Sequence, residues 1–375
     1  MENPLILLTD GYGGRGGIAQ YNRHLIAALS EIKKIKKINV LQRKVIYKLE
    51  KIPKKVKLIK NISNSNFRFF IKIINFLFFK KNYDVVFCCH IHLLPFAWIL
   101  SKKNRCPLIL NIYGEEAWNP TRHKISNFLC SKIDYLCTIR HYTAKKFISW
   151  SKISVSKYFY IPNCVDQKKF KYKPKNIKLI KKYNLQKKKI ILSCGRMDVE
   201  DKNKGIDEII EILGELSRNN KDIIYLIVGD GDDKKRLERK TKSLKVNHLV
   251  SFLGNLNEKR KIDLFKIGHI MAMPGSRKNF DRYPYRFVNL EALSSGMHVI
   301  CSKVNYKSEI NDPNIKMLNQ VNPNNKRELI NEITKLFNKK KITNPLIKKF
   351  YFNHFKNRLE SMTNIIDAHR KAKKN

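Results

Sequence analysis

Short runs of aliphatic and β-branched residues alternate with longer amphipathic stretches along most of this chain, and they come in two series. The first comprises PLILLTD (Pro4 to Asp10), DVVFCCH (Asp84 to His90), PLILNIY (Pro107 to Tyr113), YLCTIR (Tyr135 to Arg140) and KYFYIPN (Lys157 to Asn163). The second comprises IILSCG (Ile190 to Gly195), IIYLIVGDG (Ile223 to Gly231), VSFLG (Val250 to Gly254), HIMAMPG (His269 to Gly275) and HVICS (His298 to Ser302). Strand-length runs separated by helical periodicity are the signature of βαβ units around a parallel sheet. One core rarely grows beyond about 250–300 residues, so a chain of 375 is read as two α/β domains. The Lys-rich stretch from Gln167 to Lys189 carries little strand pattern and reads as the connection, which gives domains at 1–168 and 169–350. The stretch from about Lys339 onward reads as helix with no strand partner, so residues 351–375 are expected to pack back across the domains.

A hydrophobic fraction of 43% suffices for two buried sheets and argues against long disorder. The 77 Lys and Arg against 31 Asp and Glu leave a net charge of +46. Those cations lie in core-like and surface-like segments alike, so they read as a bias spread over the chain rather than a nucleic-acid patch. Such a surface still attracts anionic lipid headgroups, at roughly 1 kcal/mol per well-placed Lys or Arg. Eight cysteines, Cys88, Cys89, Cys106, Cys130, Cys137, Cys164, Cys194 and Cys301, form no CxxC pair and no zinc-spaced cluster. Most sit in apolar runs, as reduced core thiols do. Together with a first strand in place of a signal peptide, they predict a cytoplasmic protein, with a peripheral position on the inner face of the membrane as a further expectation. The most apolar run, FRFFIKIINFLFF (Phe67 to Phe79), holds Arg68, Lys72 and Asn75 and is too short to span a bilayer. It is either a buried helix or a basic, aromatic helix lying in the membrane interface.

Glycine-containing turns end several strands, at Gly195-Arg196, at Gly229-Asp230-Gly231 and at Gly254-Asn255. Ligands of open parallel sheets bind outside the carboxyl ends of the strands. A glycine there lets backbone approach a phosphate, and the next helix start offers free N–H groups. Arg196 follows its strand directly and Lys204-Gly205 comes shortly after, so fork and point charge together could neutralise a diphosphate. In the first half a glycine loop, Gly11 to Gly17, sits between strand and helix. His90 ends an N-domain strand, as a structural histidine or a substrate contact; His24 and His298 read as structural. Asp230 and Asp232 invite a metal reading, but acidic residues of a strand-end turn usually face solvent, and no metal is expected.

The ordered set GGIAQYNRHLIAAL, IPNCVD, CGRMDVEDKNKGIDEII, LIVGDGDDKKRLE, VSFLGN and RFVNLEALSSGMHVI resembles glycosyltransferase family 4, the retaining glycosyl transferases group 1, over most of the chain. The resemblance implies a GT-B fold: two Rossmann-like α/β domains with parallel sheets facing a central cleft. It implies that Arg196, Lys204 and Gly205 hold the donor diphosphate, with Lys202 as a stand-in because the intervening stretch is longer here. Glu291 then binds the donor ribose, Gly254 belongs to the donor site, and the loop glycines Gly14, Gly16 and Gly17 face donor and acceptor.

Two departures stand out. The family's first Glu, near the reacting sugar, falls by strict spacing on Tyr283, whereas Asp281 supplies the carboxylate if the turn Asp281 to Pro284 is displaced by two residues. The family's His-Gly pair becomes Tyr113-Gly114, followed by Glu115 and Glu116, which makes Tyr113 and Glu115 candidate substrate contacts. The function so implied is a retaining transfer of a hexose-type sugar from a nucleoside diphosphate sugar to a glycan or lipid-linked acceptor, in cell-surface polysaccharide or lipopolysaccharide synthesis. No cofactor is expected; Asp281, Arg196 and Lys204 would carry the chemistry. A nucleotide-sugar epimerase of related fold lacks its acid–base set here. The rival from another class is a degenerate scaffold that binds anionic membranes or polyanions.

Overall fold

The computed structural model describes residues 1–60, 66–78, 82–172, 177–199, 204–275, 286–303, 318–341 and 345–372. The chain divides into two compact units, Met1–Cys164 with Phe350–Asn375, and Val165–Lys349.

The first unit contains β1 (Pro4–Leu8), α1 (Gly17–Glu31), β2 (Ile38–Gln42), β3 (Val56–Lys60), α2 (Asn66–Phe78), β4 (Val85–Cys88), α3 (Leu94–Lys103), β5 (Leu108–Ile112), α4 (Lys124–Cys130), β6 (Tyr135–Thr138), α5 (His141–Ser151) and β7 (Tyr158–Tyr160). Among the described residues its strands form one parallel sheet, ordered β3-β2-β1-β4-β5-β6-β7. Every residue of β1, β2, β4, β5 and β6 is buried, as expected of parallel strands covered on both faces. One face packs on Phe69, Ile73 and Phe76 of α2, Leu94, Ala97 and Leu100 of α3, Leu129 of α4 and Phe147 of α5. The last helix of the chain runs Phe352–Ala372. It lies with α1 in this unit: Phe355 meets the Tyr21 ring edge-on at 5.6 Å, and Asp367 pairs at 2.7 Å with both the amino terminus and Lys34. Its Met362 reaches Cys137 of β6, so it covers the sheet face opposite α2–α5.

Helix α2 takes a position between the two expected for it. Phe69, Ile73 and Phe76 recur at helical spacing and are buried, while Phe70 and Ile71 stay exposed.

The second unit contains α6 (Ile177–Lys182), β8 (Lys189–Cys194), α7 (Ile206–Asn219), β9 (Ile223–Val228), α8 (Lys234–Ser243), β10 (Val250–Gly254), α9 (Glu258–Ile267), β11 (Ile270–Met273), α10 (Phe287–Ser294), β12 (His298–Ser302), β13 (Leu318–Val321) and α11 (Lys326–Phe337). Its sheet is parallel, ordered β10-β9-β8-β11-β12-β13. The isoleucines of α7 pack with Leu329, Ile330, Ile333 and Leu336 of α11 on one side of it.

In both sheets the strand order reverses beside the first strand, between β1 and β4 and between β8 and β11. The loops leaving the carboxyl ends of those strands diverge there, which opens the crevice where Rossmann-like sheets bind nucleotides.

Candidate active site

In the second unit the crevice is built around β8. Gly229, just past β9, has φ +134°, and a Cβ on it would lie 1.9 Å from the Gly195 carbonyl oxygen. Only glycine lets the ends of β8 and β9 approach so closely. Gly205, with φ +79°, is the N-cap of α7, and a Cβ there would come within 2.5 Å of Pro274 Cγ. The start of α7 is thereby pressed against the end of β11, across the reversal point. Lys204 precedes it and lays its Cε 3.2 Å from where a Gly195 Cβ would stand.

Arg196 and Lys204 consequently line one shallow, open hollow, together with Met197, Asp198, Ile206, Asp207, Asp233 and Leu237. The Arg196 side chain is 72% exposed and sits 3.1 Å from Asp198. An exposed pair of this kind is worth about 0–1 kcal/mol, so the guanidinium can leave it for a stronger anion. Helix α7 starts at the hollow without a side-chain cap. Asp207 in its first turn accepts two hydrogen bonds from Arg236, at 2.6 and 2.8 Å, and one from Lys240 at 2.5 Å. Burial raises its pKa, but the bonds from Arg236 and Lys240 outweigh that and bring it down to about 2. Of the three acidic residues that line the hollow, Asp207 is thus paired with Arg236 and Lys240, Asp233 with Arg236 and Asp198 with Arg196.

Glu291 lies on α10 with 1% of its side chain exposed, and its Oε2 accepts from Lys261 Nζ of α9 at 2.9 Å. Burial works against the Lys261 charge, yet Glu291 more than offsets it and raises the pKa. Lys261 escapes a reading by motif. Its one sequence signal is a position one turn before the buried Leu264 and Phe265, on the inner stripe of α9. Gly254 ends β10 with φ +63° and faces open space. Asp230 accepts from the Gly231 amide and Asp232 from the Val199 amide, so both hold turns. No group of three metal-capable side chains occurs among the described residues. Lys202, Asp281 and Tyr283 lie outside the described residues.

The glycine loop of the first unit splits into two parts. Gly11 to Gly14 are buried, and their polar groups are engaged within the unit. Tyr12 donates its amide to Gln42, Gly13 to Glu50, and Arg23 donates to the carbonyls of Gly11 and Gly14. A Cβ on Gly14 would stand 3.1 Å from Ala19 Cβ and Asp10 Cβ, so a side chain at this buried position would press on both. Gly16 and Gly17 are exposed. Gly16, with φ +94°, leaves α1 uncapped, and a Cβ on it would meet nothing within 4 Å.

His90 follows β4, and its Nδ1 accepts from the His92 amide at 3.2 Å. Burial, with smaller contributions from His92 and Arg43, lowers its pKa to about 4. The neutral ring therefore carries its proton on Nε2. The rings of His90, His92 and His123 follow one another at 4.8 Å spacing. Tyr113 points inward: its hydroxyl donates to Asn22 Oδ1 at 2.7 Å and lies 3.3 Å from the Cys89 carbonyl oxygen, and its ring meets Tyr21. Glu115 is exposed, whereas Glu116 closes the turn by accepting from the amides of Tyr113 and Gly114. His298 is buried, with Nε2 3.4 Å from the Lys340 carbonyl oxygen, and His24 meets the Cys164 thiol at 3.2 Å.

The structure thus gathers Arg196, Lys204 and Gly205 at one hollow of the second unit, and it sets Tyr113 and Gly14 inside the first.

Residues 175–351 match the family model of glycosyl transferases group 1. The chain is 22% identical over 249 residues to the phosphatidylinositol N-acetylglucosaminyltransferase gpi3 subunit of Schizosaccharomyces pombe, covering 64% of this chain and 51% of that one. It spans about half or less of the length of the curated relatives it matches. The crystal structure of Anabaena Alr3699/HepE in complex with UDP-glucose superposes with a TM-score of 0.73 at 16% identity, over 97% of this chain and 100% of that one. The lipopolysaccharide outer core galactosyltransferase WaaB, in its apo form, gives a TM-score of 0.66 at 18% identity, over 96% and 100%. The expected pair of Rossmann-like units is met, and the chain has the GT-B fold seen in glycosyltransferases; the stretch that matches the glycosyl transferases group 1 model falls almost wholly within the second unit.

Proposed function

We propose that the chain is a retaining glycosyltransferase. It moves a sugar from a nucleoside diphosphate sugar to a glycan or lipid-linked acceptor, in cell-surface polysaccharide or lipopolysaccharide synthesis. The observation that supports this most is the meeting of Arg196 and Lys204 at one hollow beside the uncapped start of α7, at the reversal point of the second sheet. Two cations and the N–H groups of a helix start suit a diphosphate. As the bond between the sugar's anomeric carbon and the diphosphate breaks, charge grows on the leaving oxygen, where these groups lower the barrier. The acceptor oxygen bonds to the anomeric carbon on the same face, and its proton passes to the departing diphosphate, so no protein base is needed. Glu291 accepts from the donor ribose, and Gly254 leaves room at the end of β10. Gly16 and Gly17 offer the exposed start of α1 to the substrates, and neutral His90 donates from Nε2 to a sugar hydroxyl. Asp281 is assigned the carboxylate beside the reacting sugar on the sequence alone. No metal or cofactor enters this scheme.

The relatives support the setting: WaaB is a lipopolysaccharide outer core galactosyltransferase, and HepE was crystallised with UDP-glucose. A place on the cytoplasmic face of an anionic membrane belongs to the same proposal. Phe70 and Ile71 of α2 are exposed, as are Ile125 and Phe128 of α4, where the Lys132 ammonium stands 5.5 Å over the Phe128 ring. No helix among the described residues is long and apolar enough to cross a membrane. Sugar release or transfer from a panel of nucleotide sugars tests the reading. Donor hydrolysis or transfer supports it, whereas vesicle binding with no turnover of any donor favours the non-enzymatic scaffold.

A further inference from the structure

Helices α2, α3, α4 and α5 set their buried stripes on one face of the first sheet, α2 beside α3 and α3 beside α4, so their remaining sides make one outer surface. None of the four carries an Asp or Glu. Between Asn66 and Ser151 the acids are Asp84, Asp134, Glu115 and Glu116, all outside these helices. Asp84 and Asp134 stand just before β4 and β6 and accept from the backbone amides of Asn3 and Leu108 at 3.0 and 2.9 Å. The two glutamates follow β5, at the crevice. The opposite face of the same unit differs: α1 carries Glu31, and the last helix carries Glu360 and Asp367. A bias toward lysine over the whole chain does not account for two faces so unlike. On the acid-free face, exposed Arg68, Lys102, Lys103, Lys124 and Lys132 stand among exposed apolar side chains. These are Phe70 and Ile71 on α2, Ile99 on α3, and Ile125 and Phe128 on α4, the last two 67% and 65% exposed.

We propose that the outer sides of α2, α3 and α4 form a docking face for an anionic lipid bilayer, with the cations at the headgroups and the apolar tips below them. This rests on the membrane position proposed above and assigns it to one face of the first unit, in place of the basic surface at large. The missing acids remove the repulsion that an anionic leaflet would meet elsewhere on the chain. The long stems of lysine and arginine let their charges stay in the headgroup layer while neighbouring Phe and Ile side chains enter the acyl boundary. Other anionic partners fit less well. A nucleic acid would use the cations, but its bases stack on aromatic faces, and three of the five tips are isoleucines. A folded protein partner keeps lysine away from the centre of its interface, whereas here cations and tips are interleaved.

The test is flotation of the full chain with vesicles of phosphatidylcholine, alone or with one third phosphatidylglycerol. The wild-type chain should float with the anionic vesicles. Lys102→Gln with Lys103→Gln should lower that partition on the order of twentyfold, since one cation beside an anionic surface changes it about fivefold. Ile125→Ser with Phe128→Ser should lower it at least tenfold; both side chains are exposed, so this variant keeps its fold. Lys235→Gln with Lys242→Gln, which removes the same charge from α8, should change it by less than about twofold. A fluorophore sensitive to its surroundings gives the contact directly. The native cysteines are buried, Cys194 partly, so an introduced thiol is labelled first. The label should shift to the blue on anionic vesicles at Phe128→Cys and stay unshifted at Leu244→Cys on α8. Undiminished flotation of both variants on α3 and α4, with no shift at Phe128→Cys, would overturn the docking face and leave the membrane position standing. If the wild-type chain floats with neither vesicle, both fall. Random-sequence RNA bound more weakly by the α3 and α4 variants, with no flotation of the wild-type chain, would assign the face to nucleic acid and overturn the proposal.

Discussion

Asp207→Asn probes how the second unit keeps an acidic residue beside the proposed diphosphate site. Asp207 holds Arg236 through two hydrogen bonds and Lys240 through a third, and Arg236 also bonds Asp233. These partners bring the Asp207 pKa to about 2 against burial, from an ordinary 3.8. A depressed acidic pKa stabilises the fold above the unfolded value, and that stabilisation is lost as pH falls through the folded value. A difference of nearly two units corresponds to about 2.5 kcal/mol at about 1.4 kcal/mol per unit, and partial solvent access brings it to between about 1 and 2. Asparagine keeps the shape but cannot titrate. Urea unfolding of wild type and variant at pH 7, 5, 4 and 3 should give a gap of about 1–2 kcal/mol at pH 7 and 5 that shrinks below pH 4. The chain's net charge of +46 repels itself more strongly in acid, but it does so in both proteins and drops out of the difference. A gap of zero at pH 7, or one that persists unchanged at pH 3, would refute the linkage argument.

Tyr113→Phe should cost about 1–3 kcal/mol, because it leaves the buried Asn22 Oδ1 without its donor, while donor affinity stays at the wild-type level; weakened donor affinity with unchanged stability would return Tyr113 to the substrate. Asp281→Asn should lower turnover about tenfold or more through misplacement of the sugar, and Tyr283→Phe should do much less; a loss of about 1 kcal/mol of stability with intact turnover would make Asp281 a cap only. Binding to vesicles containing anionic lipid should exceed binding to neutral ones and fade as salt rises, whereas equal binding to both would remove charge from the membrane proposal.

Most of the strands that can be read from sequence are buried on both faces, although the edge strands β7 and β10 are legible while only partly buried. PLILL and IIYLIV are continuous apolar runs because helices cover the sheet above and below them. INVLQ, VKLIK and LNQV of β2, β3 and β13 carry polar residues inside short runs, and β3 and β13 lie at sheet edges, so their pattern is weak although they pair in register. Helix α6, six residues long, falls within the stretch that reads as a connection. The composition shift puts boundaries near 168 and 350, whereas the compact units divide at Cys164/Val165 and Lys349/Phe350, and the last helix joins the first unit.

At the site, Arg196, Lys204 and Gly205 are legible because phosphate chemistry ties those residue types to a strand end and the next helix start. Lys261 is not, because its partner Glu291 is thirty positions away and meets it only through packing. The burial of Gly14 is equally hidden, since it depends on Glu50, Gln42 and Arg23 taking up the loop's polar groups. In Tyr113-Gly114-Glu115-Glu116 the sequence marks a departure from the family, and the structure gives its local use: Tyr113 ties the turn to α1, and Glu116 closes it.

The proposed function stands or falls with the diphosphate clamp, which calorimetric titration with nucleoside diphosphates probes without intermediaries. The best-bound of UDP, GDP and ADP should lose roughly 1.5–3 kcal/mol of affinity in Arg196→Ala and again in Lys204→Ala, the scale of a hydrogen bond to a charged group. That is about a tenfold to a hundredfold rise in Kd. The parent nucleoside, lacking the phosphates, should bind all three proteins alike. Diphosphate affinity unchanged in both variants would contradict the clamp and take Arg196 and Lys204 out of the site.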